Sequence, residues 1–376
     1  MIYKPFQDIK LSTLGMGNMR LPTLGEGLMA PIDKEKATAI IDYAMSSGVN
    51  YYDTGYMYHG GQSEKFLGEA LVDRYPRNRF CLATKYFAQA KADYRAMFAE
   101  QLERLRTDYI DFYLIHGIFD HTFRTYLDNG CIDYFLEQKQ QGNIRYLGFS
   151  SHASVENLIT FANHHKWDFA QIQMNYYDWA KSTTAKEYQV LAEREIPMMI
   201  MEPCRGGPLA SLCPEAASVL KAAHPDWSVA AWAFRWVKQF PAVQVVLSGM
   251  TTMEQIVDNV AVFSDAEALS NGDVEILNQA FSVFERTINV PCTGCGYCTE
   301  SCPMKIDIPG VMAAYNSFKI SSFHRRLNGL NDLKSSTGPI DCIDCKSCAE
   351  RCPQGIAIPE IMTELAGAQK ETAPRP

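Results

Sequence analysis

Between positions 292 and 352 the sequence repeats itself. Cys292, Cys295, Cys298 and Cys302 lead into Pro303, and Cys342, Cys345, Cys348 and Cys352 lead into Pro353, each residue 50 positions from its counterpart. The other four of the 12 cysteines, Cys81, Cys131, Cys204 and Cys213, are scattered through the first 291 of 376 residues. Such crowding needs a chemical cause. A disulfide framework suits short extracellular chains, whereas a chain of this length that opens MIYKPFQDIK, with no apolar h-region, is expected to be cytoplasmic and to use clustered thiols as metal ligands.

The C-x2-C-x2-C-x3-C-P spacing resembles that of bacterial two-cluster ferredoxins, where three closely spaced thiolates hold one 4Fe-4S cubane and the fourth serves the other. The resemblance implies Cys292, Cys295, Cys298 and Cys352 on one cluster, and Cys342, Cys345, Cys348 and Cys302 on the second. The alternative is a pair of tetrahedral zinc sites, although zinc ribbons usually set two C-x-x-C pairs apart by a long loop. IPGVMAAYNSFK and FHRRLNGLNDL, between the two runs, read as helices. Residues 288–376 are therefore expected to form a small α+β ferredoxin-like iron-sulfur domain with an insertion, its QKETAPRP tail frayed.

Ahead of this module, short β-rich runs alternate with longer amphipathic ones. They include LSTLGMGN, VNYYDT, FCLATK, DYIDFYLIH, IRYLGFS, FAQIQMN, IPMMIMEP and VQVVLSG. Continuously apolar strands joined by helix-length connections imply a parallel sheet with helices on its outer face. Eight such units in residues 1–287 favour an α/β fold, a closed (β/α)8 TIM barrel. An open Rossmann sheet is the alternative, but no G-x-G-x-x-G follows the first strand. A helix is expected from about Asp265 to Thr287, and Trp232, Phe234 and Trp236 read as helix packing.

Lys and Arg number 35 against 43 Asp and Glu, a net charge of -8, and no basic block exceeds two residues. Nucleic acid and membrane surfaces are therefore not expected partners. No uncharged apolar run approaches the roughly 18 residues that span a bilayer.

In a parallel barrel the reacting groups gather at the carboxyl ends of the strands. Asp53 closes VNYYDT with Tyr58 five residues on, Lys85 closes FCLATK, and His116 closes DYIDFYLIH. These stretches resemble the aldo-keto reductase family, which shares D-T-x-x-x-Y, T-K and D-Y-I-D-x-Y-x-x-H motifs. SEKFLGEAL, GNIRYLGFS and SGMTTMEQIVDN extend the resemblance over about residues 1–287.

The resemblance implies carbonyl and alcohol interconversion with NADPH or NADH, Tyr58 being the proton donor. A free phenol has a pKa near 10, so a neighbouring ammonium, Lys85, is expected to ease proton loss, with Asp53 orienting Lys85 and His116 placing the substrate oxygen. Tyr56 is the less suitable phenol, only three residues from Asp53. For the cofactor the resemblance implies Gly17, Asn18 and Met19 after the first strand, Ser150, Ser151 and Gln171 on the carboxamide, and Met201 covering the ring. It further implies Gly206 and Gly207 at the pyrophosphate, and Gly249, Asp258 and Asn259 near the adenosine. Gly249, Met250 and Gln255 stand where NADPH-preferring relatives place Lys or Arg, which makes NADH at least as plausible as NADPH.

The substrate is expected to be a small carbonyl or alcohol, shaped by His59 to Gly61, Phe87, Phe119 and Phe123 to Gly130. The clusters serve structure or an added electron step. The alternative is an electron-transfer protein that passes electrons from a nicotinamide, or a flavin, through the clusters to a ferredoxin or other redox protein.

Overall fold

The computed structural model describes residues 1–25, 30–288, 290, 292, 294–320, 327–352 and 354–372. They fall into two compact units, Met1–Pro203 with Ala230–Asn271, and Cys204–Val229 with Gly272–Pro376.

The first unit opens with an antiparallel hairpin, β1 (Tyr3–Phe6) and β2 (Ile9–Ser12). Eight strands follow: β3 (Leu14–Gly17), β4 (Tyr51–Asp53), β5 (Cys81–Tyr86), β6 (Ile110–Ile118), β7 (Ile144–Ser151), β8 (Phe169–Gln173), β9 (Met198–Met201) and β10 (Val243–Ser248). All pair in parallel, in chain order, and β10 closes on β3, giving the barrel the alternation predicts. The apolar run LSTLGMGN is divided at Thr13. Its first part pairs within the hairpin, and Asn50 marks the break by accepting from the Ser12 N–H at 2.8 Å.

Side chains alternate across each strand, so every second residue enters the barrel. Tyr51, Cys81, Ala83, Phe112, Leu114, Tyr146, Phe169, Met199, Val245 and Leu247 form one buried interior cluster. Phe6 and Leu11 of the hairpin join it, the Phe6 ring lying 5.3 Å from Phe112 and 5.1 Å from Tyr146. The inward position next along each strand is polar: Asp53 after Tyr51, Lys85 after Ala83, His116 after Leu114, Gln171 after Phe169. An apolar floor thus carries a polar layer at the carboxyl ends.

The outer helices follow the same logic. Helix Lys34–Ser46 buries Ala37, Ile40, Ile41, Ala44 and Met45, a stripe at helical spacing, and Asp33 caps it by accepting from the Lys36 N–H. Trp232, Phe234 and Trp236 are buried in helix Val229–Lys238, as packing. The helix expected from Asp265 begins only at Asn271. Asp265 is spent on a turn, accepting from the Glu267 N–H at 2.9 Å and from Arg235 at 2.6 Å.

In the second unit the 50-residue repeat is structural as well as sequential. Short helices Tyr297–Glu300 and Ser347–Glu350 follow left-handed caps at Gly296 (φ 81°) and Lys346 (φ 64°), and longer helices Ile308–Ile320 and Ile358–Thr372 come next. Ile306, Ile308, Val311, Met312, Ile356, Ile358, Ile361 and Leu365 pack between the halves. Among the described residues this unit is helix and irregular chain without a strand, so the β part of the expected α+β module is not seen there. The segments entering each cysteine run are short and proline-bearing, which leaves little room for a ladder. Helix Ile358–Thr372 carries QKET in ordered form, against the expected fraying, while residues 373–376 lie outside the described residues, as does Pro353. Of FHRRLNGLNDL, residues 323–326 also lie outside them, and Asn328–Asp332 is a 3-10 turn rather than an α-helix.

Candidate active site

Asp53, Lys85 and His116 come from three adjacent strands, and Tyr58 comes from the turn that follows β4. Lys85 is fully buried, and its ammonium donates to Asp53 Oδ1 at 2.6 Å and to the Thr54 carbonyl at 2.5 Å. The same ammonium lies 5.0 Å from the centre of the half-buried Tyr58 ring, which meets the His116 imidazole edge-on at 6.1 Å. Tyr56 is turned elsewhere, donating to Glu100 at 2.9 Å beneath the Arg104 guanidinium.

Burial works against every charge in this cluster. It lowers the Lys85 ammonium, but Asp53 and then Tyr58 outweigh it and leave Lys85 above its ordinary value. It raises the Asp53 carboxyl, which Lys85 pulls back only in part. Burial also lifts the Tyr58 phenol above its ordinary value; Lys85 opposes this, while Asp53 and Glu202 add to it. The expected easing of proton loss is therefore present as a contribution but is outweighed. His116 is pushed down to about 3 by burial and by Lys85, so it is neutral at ordinary pH. Asp53 Oδ2 and His116 Nδ1 are buried without a hydrogen-bond partner.

A surrounding layer that the sequence does not announce fixes these groups. Glu64, fully buried, accepts from Thr84 at 2.6 Å and Gln101 at 2.8 Å and pairs with Arg104 at 3.1 Å; Gln101 also donates to the Lys85 carbonyl at 3.0 Å. The signal available was the SEKFLGEAL stretch, where a glutamate sits among apolar residues. His59 is buried and accepts from the Leu21 N–H at 3.3 Å. Phe87 remains beside the site, its ring 5.2 Å from His116.

Of the residues expected around a dinucleotide, those of the first unit stand at the same barrel end. Asn18, fully buried, donates to the Asp53 carbonyl at 2.9 Å, and Gly17 and Met19 flank it at the end of β3. Ser150 accepts from the Gly117 N–H at 2.8 Å, joining β7 to the His116 strand, and Ser151 accepts from the Ala153 N–H. Gln171 donates to Met201 Sδ at 3.6 Å, and its Oε1 is buried and unpartnered. Gly249 follows β10, and Asn259, on helix Met253–Ser264 with Asp258, donates to Ser248 at 2.8 Å. Gly206 (φ 76°) and Gly207 (φ 133°), a few residues beyond β9, both take positive φ and fall in the second unit.

The cysteine unit contains two small cavities. The first is lined by Cys292, Cys295, Cys298 and Cys352, the second by Cys302, Cys342, Cys345 and Cys348. Among the described residues no three ligands converge on a single ion-sized point; four thiols instead surround each cavity, the arrangement a cubane with one outer sulfur per iron requires. Cys81 and Cys131 are buried in the barrel unit, and burial pushes each thiol up to about 12.

Comparison with known proteins agrees with this division. The profile of the aldo/keto reductase family matches residues 13–281, and that of the 4Fe-4S dicluster domain matches residues 291–357. The uncharacterised oxidoreductase YqkF of Bacillus subtilis is 27% identical over 72% of this chain and 92% of its own. L-galactose dehydrogenase of Arabidopsis thaliana is 23% identical over 75% and 96%. Among solved structures, the holo form of aldo-keto reductase AKR11C1 from Bacillus halodurans is 26% identical with a TM-score of 0.58, covering 74% of this chain and 96% of its own. A Klebsiella pneumoniae aldo-keto reductase in complex with NADPH, 20% identical, shares the fold at a TM-score of 0.60, over 76% and 96%. No helix among the described residues is long and apolar enough to cross a membrane. An eight-stranded barrel with a buried Lys–Asp pair beside a tyrosine, matched by profile over most of its sequence, settles the family: the chain belongs to the aldo/keto reductases and carries a 4Fe-4S dicluster domain after its barrel.

Proposed function

We propose that this oxidoreductase interconverts a small carbonyl compound and its alcohol at the carboxyl end of the barrel, using a nicotinamide dinucleotide, with Tyr58 as the proton donor. The observation that carries this reading is the buried Lys85–Asp53 pair set 5.0 Å from the Tyr58 ring. The residues present fit a nicotinamide. Gln171 Oε1, buried and unpartnered at the carboxyl end of β8, is an acceptor for a carboxamide N–H, and Met201 beside it offers a polarisable face to the ring. Ser150 and Ser151 supply hydroxyls at the neighbouring strand end. The nicotinamide, when bound, supplies the hydride.

The protein's own groups handle the proton. Reduction of a carbonyl builds negative charge on its oxygen, and the phenol, kept protonated by burial, passes its proton there. Lys85 stabilises the phenolate that remains, and Asp53 holds Lys85 charged and aimed. His116, neutral, has a nitrogen free to hydrogen-bond the substrate oxygen. Phe87 packs against His116 and gives the site an apolar side.

In this reading the two thiol-lined cavities hold 4Fe-4S clusters that serve structure or an added one-electron step, and a ferredoxin-like protein is the corresponding partner class. Clustered thiolates of this kind suit a reducing cytoplasm. The test is anaerobic mixing of cluster-loaded protein with NADPH or NADH and a panel of carbonyls, following nicotinamide and cluster absorbance together. Consumption of nicotinamide only with a carbonyl, clusters staying oxidised, and loss of turnover in Tyr58→Phe are expected. Bleaching of the clusters by nicotinamide alone, unchanged in Tyr58→Phe, would replace this reading with electron transfer to a partner.

A further inference from the structure

The positions after β10 where a cation would meet an adenosine 2′-phosphate are Gly249, Met250 and Gln255, and none is basic. Two of them are also committed elsewhere. Met250 is buried at 1% exposure, and Gln255 Oε1 accepts from the Thr251 and Thr252 N–H groups at 2.7 and 3.2 Å to cap helix Met253–Ser264.

Barrel closure brings a cation there from another loop. β10 pairs with β3, Ser248 opposite Met16, and the 3-10 turn Asn18–Arg20 leaves β3 at once. The Arg20 side chain lies along Gly249: a Cβ built on Gly249 would stand 2.9 Å from Arg20 Cβ, 3.0 Å from Cδ and 3.2 Å from Cγ. Because Cβ is fixed to the backbone, Arg20 has no room to retreat, and any side chain at 249 competes with its stem. Thr251 locks the two loops together by donating its hydroxyl to the Arg20 carbonyl at 2.9 Å. Arg20 as a residue is half-buried, and Glu202 acts on its guanidinium through space. An arginine whose stem is fixed across a glycine at the proposed cofactor-binding barrel end can offer its N–H fork to an anion.

We propose that Arg20 is the cation that binds the 2′-phosphate of NADPH, occupying the place which relatives fill from the β10 side, and that residue 249 is glycine because Arg20 lies across it. The assignment rests on the proposed nicotinamide site and decides between the two nicotinamides in favour of NADPH.

The test is equilibrium binding of NADPH and of NADH to the full-length, cluster-loaded protein, read by nucleotide fluorescence under anaerobic conditions, with circular dichroism to check folding. Arg20→Gln is expected to weaken NADPH about 10- to 100-fold, the range of charge-assisted hydrogen bonds, and NADH less than about 3-fold. Gly249→Lys alone is expected to weaken NADPH by displacing Arg20, and Arg20→Gly with Gly249→Lys, which removes the Cβ that a side chain at 249 would meet, to recover most of the affinity. Equal loss for NADPH and NADH in Arg20→Gln would mean a pyrophosphate contact and overturn the assignment, as would no loss for either. Binding of neither nucleotide by the parent would remove the nicotinamide site itself, an outcome distinct from parent binding that ignores Arg20.

Discussion

Lys85 Nζ stands 2.6 Å from Asp53 Oδ1 and 5.0 Å from the centre of the Tyr58 ring, so one buried ammonium serves a carboxylate and a phenol together. Neither the ammonium nor the carboxylate is replaceable by a neutral group without leaving the other charge stranded.

Lys85→Met and Asp53→Asn are both expected to lower kcat for carbonyl reduction about 10²- to 10⁴-fold, the scale of a lost proton-transfer arrangement, while nucleotide binding changes little. Each also leaves a buried charge without its partner, at a cost of about 3–5 kcal/mol. The double variant Lys85→Met, Asp53→Asn removes both charges and is expected to melt higher than either single variant while remaining inactive. Thermal melts and steady-state kinetics on the same preparations check both statements; additive destabilisation would contradict the pair.

The pH dependence follows from the direction of each shift. Tyr58 is lifted above the ordinary phenol value by burial, against Lys85 and with Asp53 and Glu202, so the proton is in place throughout the neutral range. His116, down at about 3, stays neutral there and contributes no limb near its ordinary value of 6.5. Reduction is therefore expected to be flat through the neutral range and to fall only in the alkaline range, past the ordinary phenol value, while alcohol oxidation rises with pH. Initial rates in both directions across pH 5–11 test this, and a reduction limb centred near 6.5 would contradict it.

Much of this site can be read from the chain because the barrel turns sequence order into spatial order. Each continuously apolar run becomes a strand, and the polar residue that closes it becomes part of one layer, which is why Asp53, Lys85 and His116 are found together. What escapes are relations between distant segments, above all those that depend on closure. Arg20 and Gly249 are 229 positions apart and meet only because β10 returns to β3. His59 likewise bonds to the Leu21 N–H of another turn, a partner that its own loop does not announce. The cysteine spacing, by contrast, carries its repeat into the structure, since the same 50-residue offset recurs in the helices.

That cross-pairing is testable by residue. Cys302 lines a cavity with Cys342, Cys345 and Cys348, and Cys352 lines the other with Cys292, Cys295 and Cys298. In electron paramagnetic resonance spectra of reduced protein, Cys302→Ala and Cys345→Ala are expected to alter the same cluster signal, and Cys352→Ala and Cys295→Ala the other one. Iron content is expected to fall by up to half in each. If Cys302→Ala and Cys295→Ala affect one signal in common, each run instead keeps its own four ligands.

The barrel wall makes a last prediction at Gly148, which pairs with Phe169 in the β7–β8 register. A Cβ there would lie 2.5 Å from the Phe169 carbonyl oxygen and 2.6 Å from its ring Cε1. The ring has a place to move only at the expense of Phe112, 5.2 Å away, and the carbonyl has none without loosening the ladder. Gly148→Ala is therefore expected to cost about 1–3 kcal/mol by overpacking and to lower Tm by several degrees. Phe169→Leu in the same background removes the ring contact but not the carbonyl contact, so recovery of Tm is expected to be partial. Ser150 is two residues along the same strand and bonds to Gly117 beside His116, so a displaced β7 reaches the site: the alanine variant is expected to lose kcat as well as Tm. A variant that melts with the parent would show that β7 accommodates a side chain here, and the close approach would then carry no energetic weight.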